Sequence, residues 1–411
     1  MKKSKLLSLF SGCGGMDIGF EGGFQCLKKS INSKINIDWI ENEKGDWVYL
    51  KETMFDTVFA NDIRPDAKIA WMNYFANKKT EDIYHLESIV ELVKKEYSGE
   101  TIFPKNIDIV TGGFPCQDFS IAGKRLGFKS QKNHLGKYLS DDDEVNEENR
   151  GKLYIWMREV ISIVQPKLFI AENVKGLTNL EDVKEIIEKD FANAGGGYLV
   201  IPAQVLYAAD YGVPQSRERV IFFGFKKNAL TKKAKIELSK INILDEYNPY
   251  PTKTHSSTDN SLMPYVTCEE ILNGLAEPEQ SNDLSQQKYS KAKYMGRHCQ
   301  GQTEIKLNDI APTIRSEHHG NIEFRRLSEE HGGKNIKELK QGLPERRLTV
   351  RECARIQTFP DNYQFIFPKR KNMLGVSSSD AYKIIGNAVP CLLAYHIAKN
   401  IEKKWNIYFG E

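Results

Sequence analysis

The sequence predicts an α/β fold: a doubly wound, mostly parallel sheet with a smaller domain inserted before the C-terminal end. Three observations predict it. Short aliphatic or β-branched runs recur at residues 5–10, 57–62, 107–110, 167–171 and 221–225, with stretches of helical spacing between several of them. The first run enters a glycine-rich turn and then a helix-like stretch, the arrangement by which open sheets hold ligands at their strand ends. From Lys226 the alternation fades, and a legible pattern returns only near Arg346.

Lys5 to Phe10 reads as the first strand. In the turn Ser11-Gly12-Cys13-Gly14-Gly15 that follows, bare backbone can approach a ligand and helix-end N–H groups can face it. The spacing is not the dinucleotide Gly-x-Gly-x-x-Gly, which argues against a nicotinamide oxidoreductase. Phe10 either lines a ligand pocket or fills the core. Ile31 to Phe55 reads as irregular and mixed in charge. Thr57 to Asp62 is a strand ending in a carboxylate, a group that there can accept both hydroxyls of a ribose. Glu41 and Glu43 are rivals without a convincing strand end. Asp82, beside Ile83, either accepts a bond from a ligand or caps the next helix.

The strand Ile107–Val110 leads into Thr111-Gly112-Gly113-Phe114-Pro115-Cys116-Gln117-Asp118-Phe119-Ser120. The glycine pair breaks the strand and Pro115 stiffens the turn, so a thiol stands at the strand tip. A thiolate is a strong nucleophile near neutral pH, whereas most unpaired cysteines are small buried hydrophobes. Lys124 and Arg125, on the segment beyond, suit a lid that follows a phosphate backbone or an ordinary solvated loop. Six of the eight residues from Asp141 to Glu148 are acidic, a block expected to be disordered and to repel DNA.

Leu153 to Val164 has helical spacing, Gln165-Pro166 stops it, and Lys167 to Ala171 reads as a strand with Glu172-Asn173-Val174 at its tip. A carboxyl in a partly dry pocket there has a raised pKa and can donate a proton; a salt-bridged glutamate is the alternative. Leu180 to Phe191 marks an amphipathic helix. In Gln215-Ser216-Arg217-Glu218-Arg219, the two arginines alternate and share one face of an extended segment, suiting a phosphate or a base oxygen, or forming an exposed basic strand. From 226 to about 345 the chain is polar and loop-rich, with Arg315 in the island Ala311-Pro312-Thr313-Ile314-Arg315. His318 and His319 are adjacent but have no second ligand pair at metal spacing, so no metal is expected. Arg346 to Gln357 has an apolar side formed by Leu348, Val350, Cys353, Ala354 and Ile356, and reads as structural. Gly386-Asn387-Ala388-Val389-Pro390 reads as a turn before a helix from about Cys391 to Trp405.

A chain of 411 residues can form two domains, and 40% hydrophobic with 27% charged residues is ordinary for a soluble protein. A net charge of +3 neither demands nor excludes nucleic acid. Seven dispersed cysteines suit a reducing compartment, the short apolar run at the N-terminus is no signal peptide, and no run reaches membrane-spanning length. A cytoplasmic protein is expected.

Gly113-Phe114-Pro115-Cys116-Gln117-x-Phe119-Ser120 resembles the nucleophile loop of the DNA cytosine carbon-5 methyltransferases. So do the Phe10-x-Gly12-x-Gly14-Gly15 turn, Glu172-Asn173-Val174, Gln215-x-Arg217-x-Arg219, the Arg346–Gln357 segment and Gly386-Asn387-x-Val389, in family order from Phe10 to Pro390. The resemblance implies a fold shared by enzymes that use S-adenosylmethionine, with a catalytic domain over 1–225 completed by 380–411. Residues 226–379 would form the target-recognition domain and hinge. It implies Cys116, Glu172, Arg217 and Arg219 as catalytic residues. It implies Phe10, Gly12, Gly14, Gly15, Asp62, Ile63, Asp82, Ile83, Pro115, Asn387 and Val389 around the cofactor, and Gln117, Ser120, Lys124, Arg125 and Arg315 on DNA. Against the family's spacing, Ile31–Phe55 and Lys129–Arg150 look like insertions. The expected activity is methylation of a flipped-out cytosine in duplex DNA by a monomer, with a cognate restriction endonuclease as a functional partner. An RNA methyltransferase on the same fold and a catalytically silent DNA-binding regulator are the rivals.

Overall fold

A computed structural model describes residues 3–115, 153–179, 182–296, 298–316, 321–371 and 374–410. In chain order the strands are β1 (Ser4–Leu9), β2 (Gln25–Leu27), β3 (Ile40–Lys44), β4 (Trp47–Leu50), β5 (Phe55–Asp62), β6 (Tyr84–Leu86), β7 (Ile109–Gly113), β8 (Leu168–Val174), β9 (Tyr198–Tyr207), β10 (Glu218–Lys226), β11 (Phe324–Arg326) and β12 (Arg346–Arg347). Seven of them form the main sheet in the order β6-β5-β1-β7-β8-β10-β9. The pairings from β6 to β8 are parallel, and β10 runs antiparallel to both β8 and β9. The expected doubly wound, mostly parallel sheet is the one observed.

The aliphatic runs form this sheet because both its faces are covered. Leu6, Ile109, Ile170, Ile221 and Phe223 point into one core, shared with the C-terminal helix Cys391–Phe409. Leu7, Val110, Phe169 and Phe222 point into the other, against the helices Ile89–Tyr97, Leu153–Val164 and Val183–Ala192. From β1 the chain steps outward to β5 and β6, then crosses back to β7 on the other side of β1. That reversal opens a crevice at the carboxyl ends of β1 and β7, where open sheets bind ligands. The antiparallel β10 brings its first residues to the same edge.

Several elements differ from expectation. Residues 31–55 are not irregular throughout: β3 and β4 join β2 in a separate three-stranded antiparallel sheet. Their runs are only five and four residues long, too short to show a period. The stretch 386–390 is not wholly a turn, since Gly386 and Asn387 end a helix, Ser378–Asn387. Beyond Lys226 the chain is loop-rich as expected, yet its first part lies on the main sheet and the C-terminal helix. Thr231 N–H donates to Tyr408 O at 2.8 Å, and the Tyr250 hydroxyl donates to Ile221 O at 2.8 Å.

Candidate active site

The crevice is floored by glycine. Gly12 has φ +54° and nothing within 4 Å of the position a Cβ would take, so backbone there meets open space. Gly14 and Gly15 are close contacts instead: a Cβ on Gly14 would lie 2.5 Å from Trp71 Cδ1, and one on Gly15 2.3 Å from Val389 O. The turn therefore favours glycine for two reasons, the left-handed backbone at Gly12 and tight packing at Gly14 and Gly15. Just before it, Phe10 adopts a left-handed backbone at φ 52° and packs half-buried against the second core. A non-glycine residue in that region is strained, and such strain gathers at functional sites.

Asp62, the last residue of β5, accepts the Gly12 N–H on Oδ2 at 2.9 Å and the Arg64 N–H on Oδ1 at 3.0 Å. Burial pushes its carboxyl above the ordinary range, opposed by those backbone donors and by the Arg64 guanidinium. Ile63 beside it is exposed. Ile83 is half-buried and Asp82 exposed, in the one-turn helix Thr80–Ile83. Asp82 is not the cap of the following helix; Ser88 is, accepting the Val90 N–H. Asn387 is exposed at the end of its helix, and Val389 is buried against Gly15.

On the other side of the crevice, Glu172 sits inside β8 rather than beyond its end. Its backbone is in register with Gly113 on β7 and Ile221 on β10, so it is fixed from both sides, level with the last residue of β7. A Cβ on Gly113 would come within 2.8 Å of Glu172 Oε2, so the bare glycine lets the carboxylate lie close against β7. Arg219 donates from Nε to Glu172 Oε1 at 2.7 Å, diagonally across the β8–β10 pair. Burial pushes the Glu172 carboxyl up, while Arg219 and then Arg217 pull it down; burial prevails. Arg217, just before β10, is buried and donates to Ile314 O at 3.1 Å, Gly386 O at 2.9 Å and Ala388 O at 2.8 Å. The two arginines thus diverge: one holds Glu172, the other holds distant carbonyls.

Asn173 Nδ2 donates to Phe114 O at 3.2 Å, tying β8 to the start of the Pro115 loop. Pro115 is the last residue described there; Cys116, Gln117, Ser120, Lys124 and Arg125 lie outside the described residues, as do His318 and His319. Arg315 is half-buried and donates from Nη1 to Glu323 Oε1 at 3.0 Å. Among the described residues, no group of three or more His, Cys, Asp or Glu could hold a metal ion. No described helix is long and apolar enough to cross a membrane.

Residues 4–403 match the family model described as C-5 cytosine-specific DNA methylase. The chain belongs to that family. It is 33% identical over 410 residues to the type II methyltransferase M.BspRI of Lysinibacillus sphaericus, covering 97% of this chain and 81% of that one. It is 32% identical over 423 residues to the type II methyltransferase M.BsuRI of Bacillus subtilis, covering 100% and 81%. Its fold is that of the S. pombe Dnmt2 methyltransferase (TM-score 0.54, 15% identity, 98% of this chain and 99% of that one). It also matches the Entamoeba histolytica methyltransferase EhMeth (TM-score 0.56, 15% identity, 98% of both).

As a C-5 cytosine DNA methylase, this chain is a DNA (cytosine-5-)-methyltransferase, of a family whose methyl donor is S-adenosylmethionine. The glycine turn and Asp62 fit such a donor: Gly12 opens on free space, and the carboxylate beside it is held by backbone N–H groups. Sequence reasoning missed the groups that clamp the turn. The Tyr84 hydroxyl donates to Gly12 O at 3.0 Å and the Tyr363 hydroxyl to Cys13 O at 2.7 Å. Asp17 accepts from Ser8 Oγ at 2.6 Å and from Trp71 Nε1 at 2.7 Å beneath it. No local pattern marks these tyrosines, but a carboxylate on a glycine-bearing helix start was a visible signal for Asp17.

Proposed function

We propose that this methyltransferase modifies a flipped-out cytosine within one specific short sequence of duplex DNA, through a covalent adduct on Cys116. The observation that carries the reading is the buried Glu172–Arg219 pair facing Gly113, three residues before that cysteine. Cytosine carbon 5 is a poor nucleophile until a thiolate adds at carbon 6. Cys116 is the thiol this chain supplies for that step. Glu172 hydrogen-bonds ring nitrogen 3 and the exocyclic amine, absorbing charge as the sulfur adds. Its raised pKa suits a carboxyl that must bring a proton to the ring. Arg219 keeps Glu172 aimed, and Arg217 fixes the segments around the base. Loss of the carbon-5 proton after methylation lets the thiolate leave.

Gly12, Gly14, Gly15, Asp62, Asn387 and Val389, with Phe10, Ile63, Asp82, Ile83 and Pro115 around them, are the residues that would hold S-adenosylmethionine. Bound there, it supplies an electrophilic methyl group. Extrahelical presentation of the base costs roughly a few kcal/mol, offset by protein contacts. Within the recognition domain and hinge over 226–379, residues 226 to about 345 would read the sequence through the major groove, with Arg315 among the contacts and Gln117, Ser120, Lys124 and Arg125 closing on the DNA. The domain division at 1–225 with 380–411, the monomeric state and the cytoplasmic location belong to the same reading. So does protection of host DNA from a companion endonuclease, supported by the type II methyltransferase names of the relatives.

The test is incubation of the purified chain with unmethylated plasmid and S-adenosylmethionine, followed by bisulfite sequencing. Conversion-resistant cytosines confined to one short motif are expected, with none for Cys116→Ser. Undiminished methylation by that variant, or methylation only of RNA, overturns the reading.

A further inference from the structure

We propose that Gln357 is a positioning residue for methyl transfer, acting with Gln215 to hold Arg217 and the Gly386–Val389 segment in one arrangement. This rests on the function proposed above and adds residues that touch neither base nor cofactor. Both glutamines are fully buried. Gln215 Nε2 donates to Gln357 Oε1 at 2.9 Å and to Ile356 O at 3.4 Å, and Gln215 Oε1 accepts the Ile314 N–H at 2.9 Å. Gln357 Nε2 donates to Ile385 O at 2.7 Å and Ala388 O at 3.2 Å. Arg217 closes the ring. It donates to Ile314 O, whose N–H Gln215 holds, and to Ala388 O, which it shares with Gln357.

Both amide orientations are dictated by these partners, since turning either over would set donor against donor or acceptor against acceptor. The ring therefore has one arrangement, and it joins three parts of the site. Arg217 leads into Arg219 and so to Glu172. Ala388 leads to Val389, whose carbonyl lies against Gly15 at the start of the glycine turn. Ile314 leads to Arg315. Both amides are hydrogen-bonded on donor and acceptor, and a satisfied network of this kind rigidifies the groups it joins. A shift in the ring would reach Glu172 and Gly15 together.

The experiment uses Gln357→Met, Gln215→Met and the double variant, each of nearly native side-chain length. Methyl incorporation from labelled S-adenosylmethionine into plasmid DNA is followed, with circular dichroism as the check on folding. Each single variant is expected to fold, to bind plasmid DNA, and to lose ~10- to 100-fold in kcat, the scale of a small misplacement at a reacting centre. KM for S-adenosylmethionine is expected to rise while KM for DNA holds. The double variant should be no worse than the poorer single, because the two act as a unit. Folded variants with wild-type kcat and KM overturn the proposal. So does a loss of folding in both single variants, which would assign the pair to structure alone. A wild-type chain that transfers no methyl group would instead sink the proposed function.

Discussion

Arg219 donates to Glu172 at 2.7 Å where β7 stops, and both side chains are buried. Taking two charges out of water costs several kcal/mol per ion, and an apolar pair would often serve stability as well. A buried pair whose carboxyl is held above its ordinary range, beside a crevice, is a functional-site candidate with a physical reason. Glu172→Gln keeps the shape and removes the acid. Methyl transfer is expected to fall by ~100-fold or more, the usual worth of a general acid. Plasmid binding should persist, since in the proposed mechanism the deleted proton is needed only once the base is bound. Initial rates set beside a gel-shift titration check both halves.

Gly113→Ala tests the same carboxylate from the opposite strand. The added Cβ would stand 2.8 Å from Glu172 Oε2, and Glu172 cannot swing away without leaving Arg219. Overpacking of this kind costs about 1–3 kcal/mol in stability. The expected signature is a modest fall in melting temperature with a much larger fall in kcat. A variant that loses stability but keeps its rate would show that Glu172 need not be held still.

The legible part of this chain was the part where one residue type answers a local demand. Aliphatic runs give β1, β5, β7, β8 and β10 because a strand covered on both faces has no polar side. Within Ser11–Gly15 the glycines stand out because Gly12 has a left-handed backbone and Gly14 and Gly15 are tightly packed. What the sequence hid was distance. Arg217 finds its carbonyl partners 97, 169 and 171 residues away, and no spacing rule reaches that far. The Gln215–Gln357 contact spans 142 residues and is invisible for the same reason. The helix Ser378–Asn387 was hidden by its ends, a serine run and a Gly-Asn pair that imitate loops. Ser377, whose side chain accepts the Asp380 N–H, was the available sign of its start.

Asp62→Asn should separate cofactor binding from chemistry. The carboxylate takes one backbone N–H on each oxygen, from Gly12 and Arg64. An amide can satisfy only one of them and sets its own donors against the other. KM for S-adenosylmethionine is expected to rise by ~10-fold or more, the worth of a charge-assisted hydrogen bond. The rate at saturating cofactor should change little, because Asp62 lies across the crevice from Glu172. A fall in saturated kcat with KM unchanged would count against this placement.

Asp17 gives a prediction about pH. It is fully buried beneath the glycine turn, and burial pushes its carboxyl from 3.8 up to about 6, although Ser8 and Trp71 both donate to it. The folded protein therefore holds this proton more tightly than the unfolded chain. The stability this contributes is complete below the unfolded value and is lost as pH rises through about 6. Asp17→Asn cannot ionise, so it escapes that loss while keeping one oxygen for the Trp71 donor. Measured by urea unfolding, its stability relative to wild type should improve between about pH 4 and 7 by roughly 2–3 kcal/mol. Well below the unfolded value of 3.8, its relative standing is set by the exchanged hydrogen bonds alone. A stability difference that stays flat across this window would mean that Asp17 keeps an ordinary carboxylate pKa in the folded chain.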